Sequence, residues 1–449
     1  MINRKHLHSI FNPAAALAVT ACLSFTGCNH DGAGPSTGGK QDPPVGQQDP
    51  HAVYPTVRIQ RAAPTATDFI QDVELGTLLT APVNGQQLTL YTFANDTAGQ
   101  SNCTINADST GCAKLWPPLF AASDSAPQGN FTIITRNDGL MQWAWRDHAL
   151  YFFAGGTAPG AAMLTLADMR TGDTYGQLFA DLWFVVRSDP FAMATVNNET
   201  VFISSGSILD FGVEDPAVPQ INDPVNQFPS ARSAARNGFT LYTFDFDPGD
   251  DTTVCYTDNA NNFCSRFWPP LYADLGTIPP SADYKVIKRP NGTLQWSYKG
   301  KPLYFFLGDN GPQQTNGTNE QIVTNNFWSL AFQKEPAFKP ELSTIIGNVF
   351  QNPNGGNCFG CHAAAGGPAG LELGGTQNQV FAELQAISTN GAYTDRQRAV
   401  PGSPNTSLIV HKVQGDAGYG NRMPLGGTPL PDNVIEAIRQ WIANGARNE

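Results

Sequence analysis

Hydrophobic and polar residues alternate with a period of two through two similar stretches of the chain. Phe131 to Arg136, Leu140 to Arg146 and Ala149 to Ala154 read as strands, with Asp138-Gly139 between the first two. Tyr284 to Arg289, Thr293 to Lys299 and Pro302 to Leu307 repeat the pattern around Asn291-Gly292. Asp-Gly and Asn-Gly between alternating apolar runs are hairpin signals, because tight hairpin turns need positive φ. Each copy is expected to hold an antiparallel meander. Towards the C-terminus the period becomes helical. Leu342, Ile345, Ile346, Val349 and Phe350 share one face of a helix over 341–350, Val380, Phe381, Leu384 and Ile387 mark another, and Val434, Ile435, Ile438, Trp441 and Ile442 mark the last. Pro431 and Asp432 suit a first helical turn and Gly445 a C-cap. The expected fold is multidomain: two mainly-β meander domains followed by an all-α domain.

The β stretches belong to a longer duplication. Leu90-Tyr91-Thr92-Phe93 with Asp96 returns as Leu241-Tyr242-Thr243-Phe244 with Asp247, and Gln142-Trp143 returns as Gln295-Trp296. The period is about 150 residues, too long for a solenoid unit, so two similar domains are implied. A weaker echo lies inside each copy: Tyr304, Phe306 and Asp309 repeat the Tyr-x-Phe-x-x-Asp spacing, while Tyr151 and Phe153 end on Gly156. At these residues, over roughly 75–335, the chain resembles a repeat family of secreted bacterial lipoproteins whose biochemical role is not established. The resemblance transfers no catalytic residue. Asp96, Asp247 and Asp309 could hold a metal, and Asp245, Asp247, Asp250 and Asp251 invite calcium, but capping of turns is the preferred reading. Tyr91, Phe93, Trp143 and Trp145 could stack on sugars or quinones; in alternating strands they are expected to be core.

Cysteine spacing adds chemistry. Cys103 and Cys112, like Cys255 and Cys264, lie nine positions apart, and each pair precedes Trp-Pro-Pro-Leu. Two local disulfides in an oxidising compartment are the simplest assignment, each contributing about 2–3 kcal/mol on the chain-entropy account. Cys358-Phe359-Gly360-Cys361-His362 is different. Two thiols three positions apart can each add across one haem vinyl group, and the next imidazole can then ligate the iron. A zinc site would need two further Cys or His ligands, and only His411 follows His362. A thioredoxin-like dithiol would want a βαβ setting. The reading is one covalent haem c on Cys358 and Cys361, with His362 as an axial ligand. For the sixth ligand Met423, in a Gly/Pro-rich loop, is preferred, and His411, within an apolar run, is the competitor.

From Pro340 onward the chain resembles the small monohaem cytochrome c domains of bacterial secreted proteins. The resemblance rests on Cys358-Phe359-Gly360-Cys361-His362, Gly370-Leu371-Glu372-Leu373, Arg422-Met423-Pro424 and Trp441-Ile442-Ala443-Asn444-Gly445-Ala446. It implies a cytochrome c-like all-α domain with histidine and methionine on opposite faces of the iron.

At the N-terminus Arg4 and Lys5 precede a short apolar run, Ala14 to Phe25, and Phe25-Thr26-Gly27-Cys28 resembles a bacterial lipobox. Cys28 is then the lipidated residue, and the location is the cell envelope: an outer-membrane lipoprotein facing periplasm or cell surface. The expected organisation is a signal peptide at 1–27, a flexible linker at 28–60 reaching about 30 Å, β-repeat domains at 61–190 and 191–336, and a cytochrome c domain at 337–449. Of 449 residues 41% are hydrophobic and 14% charged, which describes folded secreted material; the net charge of -12 argues against nucleic acid as a partner. Expected partners are redox proteins, and the membrane through the anchor. His148 is the only histidine between His51 and His362, and no nucleophile–base pair is legible, so no catalytic residue is assigned. The functional expectation is a single-electron carrier without substrate chemistry. The rivals are a redox enzyme whose β domains catalyse while the haem drains electrons, and a ligand-binding or adhesion lipoprotein.

Overall fold

Left-handed residue pairs at tight turns set the strand pairing. The computed structural model describes residues 69–72, 76–83, 85–104, 111–155, 170–205, 237–256, 264–290, 292–318, 327–363, 367–389 and 392–449. The expected signal peptide, Cys28 and the 28–60 linker lie outside the described residues. The first copy begins with an antiparallel sheet of β1 (Phe69–Asp72), β2 (Gly76–Val83) and β3 (Gln86–Thr89). Then β4 (Tyr91–Phe93) pairs with β8 (Trp183–Val185), and β5 (Phe131–Thr135), β6 (Met141–Trp145) and β7 (His148–Ala149) form the expected meander. In the second copy β9 (Phe191–Val196) and β10 (Glu199–Ser204) form a hairpin, β11 (Tyr242–Phe244) pairs with β15 (Trp328–Leu330), and β12 (Tyr284–Lys288), β13 (Leu294–Tyr298) and β14 (Lys301–Pro302) form the meander. Arg146 and Asp147 (φ 49° and 66°), Lys299 and Gly300 (φ 47° and 82°), and Asn197 and Asn198 (φ 50° and 61°) occupy the turn centres.

The third strand of each meander is shorter than the alternation predicts. After Ala149 the chain changes hydrogen-bond partner at nearly every residue: Leu119 N donates to Leu150 O, Tyr151 exchanges bonds with Tyr91, and Phe152 N donates to Pro117 O. It threads between the Trp-Pro-Pro-Leu segment and β4 instead of extending one ladder. Phe305 N likewise donates to Pro269 O in the second copy. Beside each threaded segment stands a one-turn helix closed by a disulfide: α1 (Cys112–Leu115) with Cys103–Cys112, and α2 (Cys264–Phe267) with Cys255–Cys264. Trp116 stacks on Trp183, and Trp268 on Trp328, each pair with ring centroids 3.8 Å apart.

The C-terminal part departs from the expected all-α domain. Its helices are short: α3 (Leu342–Ile345), continued as a π turn to Phe350, α4 (Phe359–His362), α5 (Gln377–Gln385), α6 (Leu408–Gln414) and α7 (Asp432–Ala443). They enclose an apolar cluster of Leu342, Val349, Leu384, Ile438 and Trp441 among others. They do not form a free-standing helical cytochrome c-like domain, and the described residues taken together are β-rich, built of small sheets. The described residues fall into two compact units, one running to Ser188 with Asp274–Pro280, the other comprising Asp189–Ala273 and Ser281–Glu449. The short helices therefore belong to the same unit as the second repeat. The seam within that unit is polar. Asn197 Nδ2 donates to Ala443 O (2.8 Å), Leu330 N to Asn444 Oδ1 (3.0 Å) and Arg447 Nη1 to Trp328 O (3.2 Å). Arg439 Nε lies 2.6 Å from Glu199 Oε1, on a carboxylate only 2% exposed.

Burial first, and the neighbouring Glu436 carboxylate second, pushes Glu199 up to about 7; burial does the same for Glu449. A carboxyl with a raised folded pKa binds its proton more tightly folded than unfolded. The stability it contributes is complete below its ordinary value near 4.5 and is lost as pH rises through about 7. The unfolding midpoint of this unit should therefore rise when the pH is lowered from 8 to 5. Arg439→Ala, which strands a buried carboxylate, should cost about 3–5 kcal/mol at pH 8 and distinctly less at pH 5, where Glu199 takes up a proton; denaturant unfolding at the two pH values measures both.

Candidate functional site

The Cys358–His362 segment is one helical turn set on the apolar cluster. His362 N donates to Cys358 O (2.9 Å), and Cys361 N lies 3.3 Å from the same oxygen, so both thiols share one face of α4. The approach is tight. A side chain at Gly355 would put its Cβ 2.4 Å from Asn348 O, and one at Gly356 would meet Cys358 Sγ and Val349 at 3.0–3.1 Å. Cys358 is half-buried against the cluster and Cys361 is exposed; the two are not bonded to each other. Burial pushes the Cys358 thiol up to about 11, the opposite of the lowered value a redox-active dithiol needs.

His362 is 9% exposed and its Nδ1 lies 3.1 Å from Leu371 O. A carbonyl can only accept, so Nδ1 carries the proton and the Nε2 lone pair is left for a ligand. Leu373 N donates to His362 O (2.7 Å), tying the turn to the segment that supplies this carbonyl. Nothing in the sequence marks Leu371 as the partner of His362, because every residue carries a carbonyl.

The structure treats Met423 and His411 differently. Met423 is half-buried in a loop held by its own N–H to Lys412 O (2.7 Å), and Lys412 Nζ donates to Tyr419 O (3.0 Å) and Asn421 O (2.7 Å). His411 faces Asp416 Oδ2 through Nδ1 (2.6 Å) and Asn405 O through Nε2 (2.8 Å), with Tyr419 stacked on its ring at 3.8 Å. Both ring nitrogens of His411 are thus engaged by neighbouring groups. Cys358, Cys361 and His362 share one turn; Met423 and His411 stand on separate segments.

The aspartates of the repeats are structural anchors. Asp96 accepts from Asn102 N and from Tyr151 Oη (both 2.7 Å), and Asp247 accepts from Val254 N and Tyr304 Oη (both 2.8 Å). Asp309 accepts from Asn316 N (3.0 Å) and Tyr242 Oη (2.8 Å). Behind each of the first two lies a buried guanidinium that the sequence did not single out. Arg136 donates to Ser101 Oγ (2.9 Å) and Cys103 O (2.7 Å), and Arg289 donates to Cys255 O (2.7 Å) and to Gln295. Asp245, Asp250 and Asp251 each engage other groups, chiefly Ser329, Thr252 and Ser297. Tyr91, Trp143 and Trp145 are buried core, and Phe93 stacks on Trp183 at 4.3 Å.

Burial holds the Asp96 and Asp247 carboxyls up near 6 and raises the Tyr304 phenol. Tyr304→Phe removes the donor to a buried carboxylate and should cost about 1–3 kcal/mol, read as a shift in denaturant midpoint without loss of the β signature. Thiol titration of the unfolded, unreduced protein should find Cys103, Cys112, Cys255 and Cys264 unreactive.

A family model, Lipoprotein_15, described as a secreted repeat of unknown function, matches residues 285–326, which span most of the second meander and the Tyr304-to-Asp309 motif. That match fits a repeat-containing lipoprotein located outside the cytoplasm, in the envelope or beyond it. No curated protein and no solved structure matches the chain. Among the described residues no helix is long and apolar enough to cross a membrane, and no cluster of three or more His, Cys, Asp or Glu is arranged to hold a metal ion.

Proposed function

We propose that this chain is an envelope electron carrier that holds one haem c through thioether bonds from Cys358 and Cys361, with His362 and Met423 as axial ligands. The observation that carries the reading is the joint geometry of the turn: two thiols on one helical face, not bonded to each other, beside an imidazole whose Nδ1 is committed to Leu371 O. That donor set fits covalent haem. Bound there, the group supplies a one-electron ferric/ferrous couple.

The chain's own residues do the rest. Cys358, packed against the apolar cluster, and Cys361, on the open side, fix the attachment at two points. His362 presents its Nε2, the ring being oriented by the hydrogen bond from Nδ1 to Leu371 O. Met423 offers a soft thioether, while the two engaged nitrogens of His411 argue against it as a ligand. With His362 and Met423 both holding the group, the site would favour one-electron exchange with redox partner proteins over substrate chemistry. Lipidation at Cys28 would anchor the carrier to the outer membrane, facing periplasm or cell surface. A second reading, ligand binding by the repeats, is favoured by one feature: Phe246, 55% exposed, packs its ring 4.3 Å from Phe327.

A pyridine haemochrome assay on purified protein should give one haem per chain that acidified organic solvent does not extract; no haem, or extractable haem, overturns the reading. Met423→Ala should abolish the near-infrared sulfur charge-transfer band and lower the midpoint potential by on the order of 100 mV. His411→Ala should leave the ferric spectrum nearly unchanged. The reverse pair of outcomes would make this a bis-histidine protein.

A further inference from the structure

Three consecutive carbonyls in the loop after α4 are each faced by a different side chain. Thr389 Oγ1 donates to Ala369 O (3.3 Å), Arg398 Nη2 donates to Gly370 O (2.9 Å), and His362 Nδ1 faces Leu371 O (3.1 Å). The loop needs such bracing, since Ala369 (φ 61°) and Gly370 (φ 65°) are both left-handed. Its fit is close: a Cβ at Gly370 would sit 2.0 Å from Thr389 Oγ1.

Arg398 joins this loop to the rest of the fold. It is 5% exposed, Nη1 donates to Glu383 O (2.9 Å), and the same nitrogen lies 3.3 Å from Glu383 Oε2. Its backbone is tied as well, with Arg398 N donating to Ala386 O (3.1 Å) and Ile409 N to Arg398 O (3.0 Å). The end of α5, the start of α6 and the 367–371 loop thus meet at one residue. Peptide units are planar, so a fixed Gly370 carbonyl fixes the plane that includes Leu371 N and limits where the next carbonyl points.

We propose that Arg398 is a positioning residue for His362: by clamping the Gly370 carbonyl it aims the Leu371 carbonyl at Nδ1, which fixes the tautomer and presents Nε2 to the iron. The purpose of that orientation rests on the haem reading above. The orientation itself is a property of this chain alone.

The test uses full-length protein labelled with 15N-histidine, in wild-type, Arg398→Met and Arg398→Lys forms. Wild type should show His362 as the Nδ1–H tautomer with a slowly exchanging proton. Arg398→Met should accelerate that exchange about tenfold, in line with a lost hydrogen-bond constraint, and should broaden the ferric low-spin EPR signal as the imidazole plane loses its single orientation. Arg398→Lys, whose one ammonium cannot span both carbonyls, should fall between, and it carries the test if the methionine variant does not fold. A variant that melts earlier but keeps the wild-type exchange rate and EPR spectrum reduces Arg398 to a structural ion pair and overturns the proposal. Wild type without covalent haem defeats the functional reading, while the tautomer and exchange comparison still decides the role of Arg398.

Discussion

A buried phenol must give its proton to an acceptor, and the second repeat meets that requirement by exchange. Tyr304 donates to Asp247 and Tyr242 to Asp309, while the two tyrosine backbones bond each other across an antiparallel bridge at 2.8 and 2.9 Å. Each aspartate also holds a backbone N–H of the loop that follows it. No half of the unit can slip in register without stranding a phenol or a carboxylate in a low-dielectric interior. The Tyr-x-aromatic-x-x-Asp spacing follows from this. A period of two puts the tyrosine and the second aromatic on one face, and the aspartate arrives where the strand gives way to the loop it anchors.

The first repeat keeps half of the arrangement. Tyr151 donates to Asp96, but the position matching Asp309 is Gly156, outside the described residues, and Tyr91 Oη turns to the Asp173 carbonyl at 3.3 Å. The second repeat has diverged in the opposite direction. The backbone of β15 receives Asn444 and Arg447, and the β9–β10 turn receives Arg439. Arg447 is also the carbonyl partner of Trp441 Nε1 (2.7 Å), so the largest side chain of the helical cluster is satisfied by the residue that reaches the sheet.

The sequence disclosed what is local. Hairpin turns and alternation placed the meanders, and the 3.6-residue pattern placed the helices around Leu342, Val380 and Ile435, because each signal spans only a few residues. Threaded strands were misread where partner changes at Tyr151 and Tyr304 leave no trace in hydrophobicity. The independence of the helical part was misread for a related reason. Arg439, Asn444 and Arg447 look like solvent-facing polar residues, and only the fold shows that they face carbonyls and a carboxylate of the second repeat. At the candidate site the sequence shows the fixed spacing of Cys358, Cys361 and His362, which is what the proposed covalent attachment needs. The Leu371 carbonyl and the Arg398 clamp were not legible, since backbone acceptors have no residue signature.

That integration bears on what an electron carrier requires. If the proposed reading holds, outer-sphere transfer is fast when ligands move little between oxidation states, so the His362 imidazole would need a framework stiffer than its own four-residue turn. The bracket around Gly370 supplies local stiffness and hangs on α5 and α6, whose Val380, Leu384 and Val410 share one cluster with Ile438 and Trp441 of α7. Helix α7 is in turn fastened to β10 through Glu199 and, by way of Arg447, to β15. Helices of one to three turns draw their stability from tertiary packing rather than from their own propensity. On the proposed reading the second repeat needs no separate chemistry to matter: it is the wall against which the haem-binding turn is made rigid.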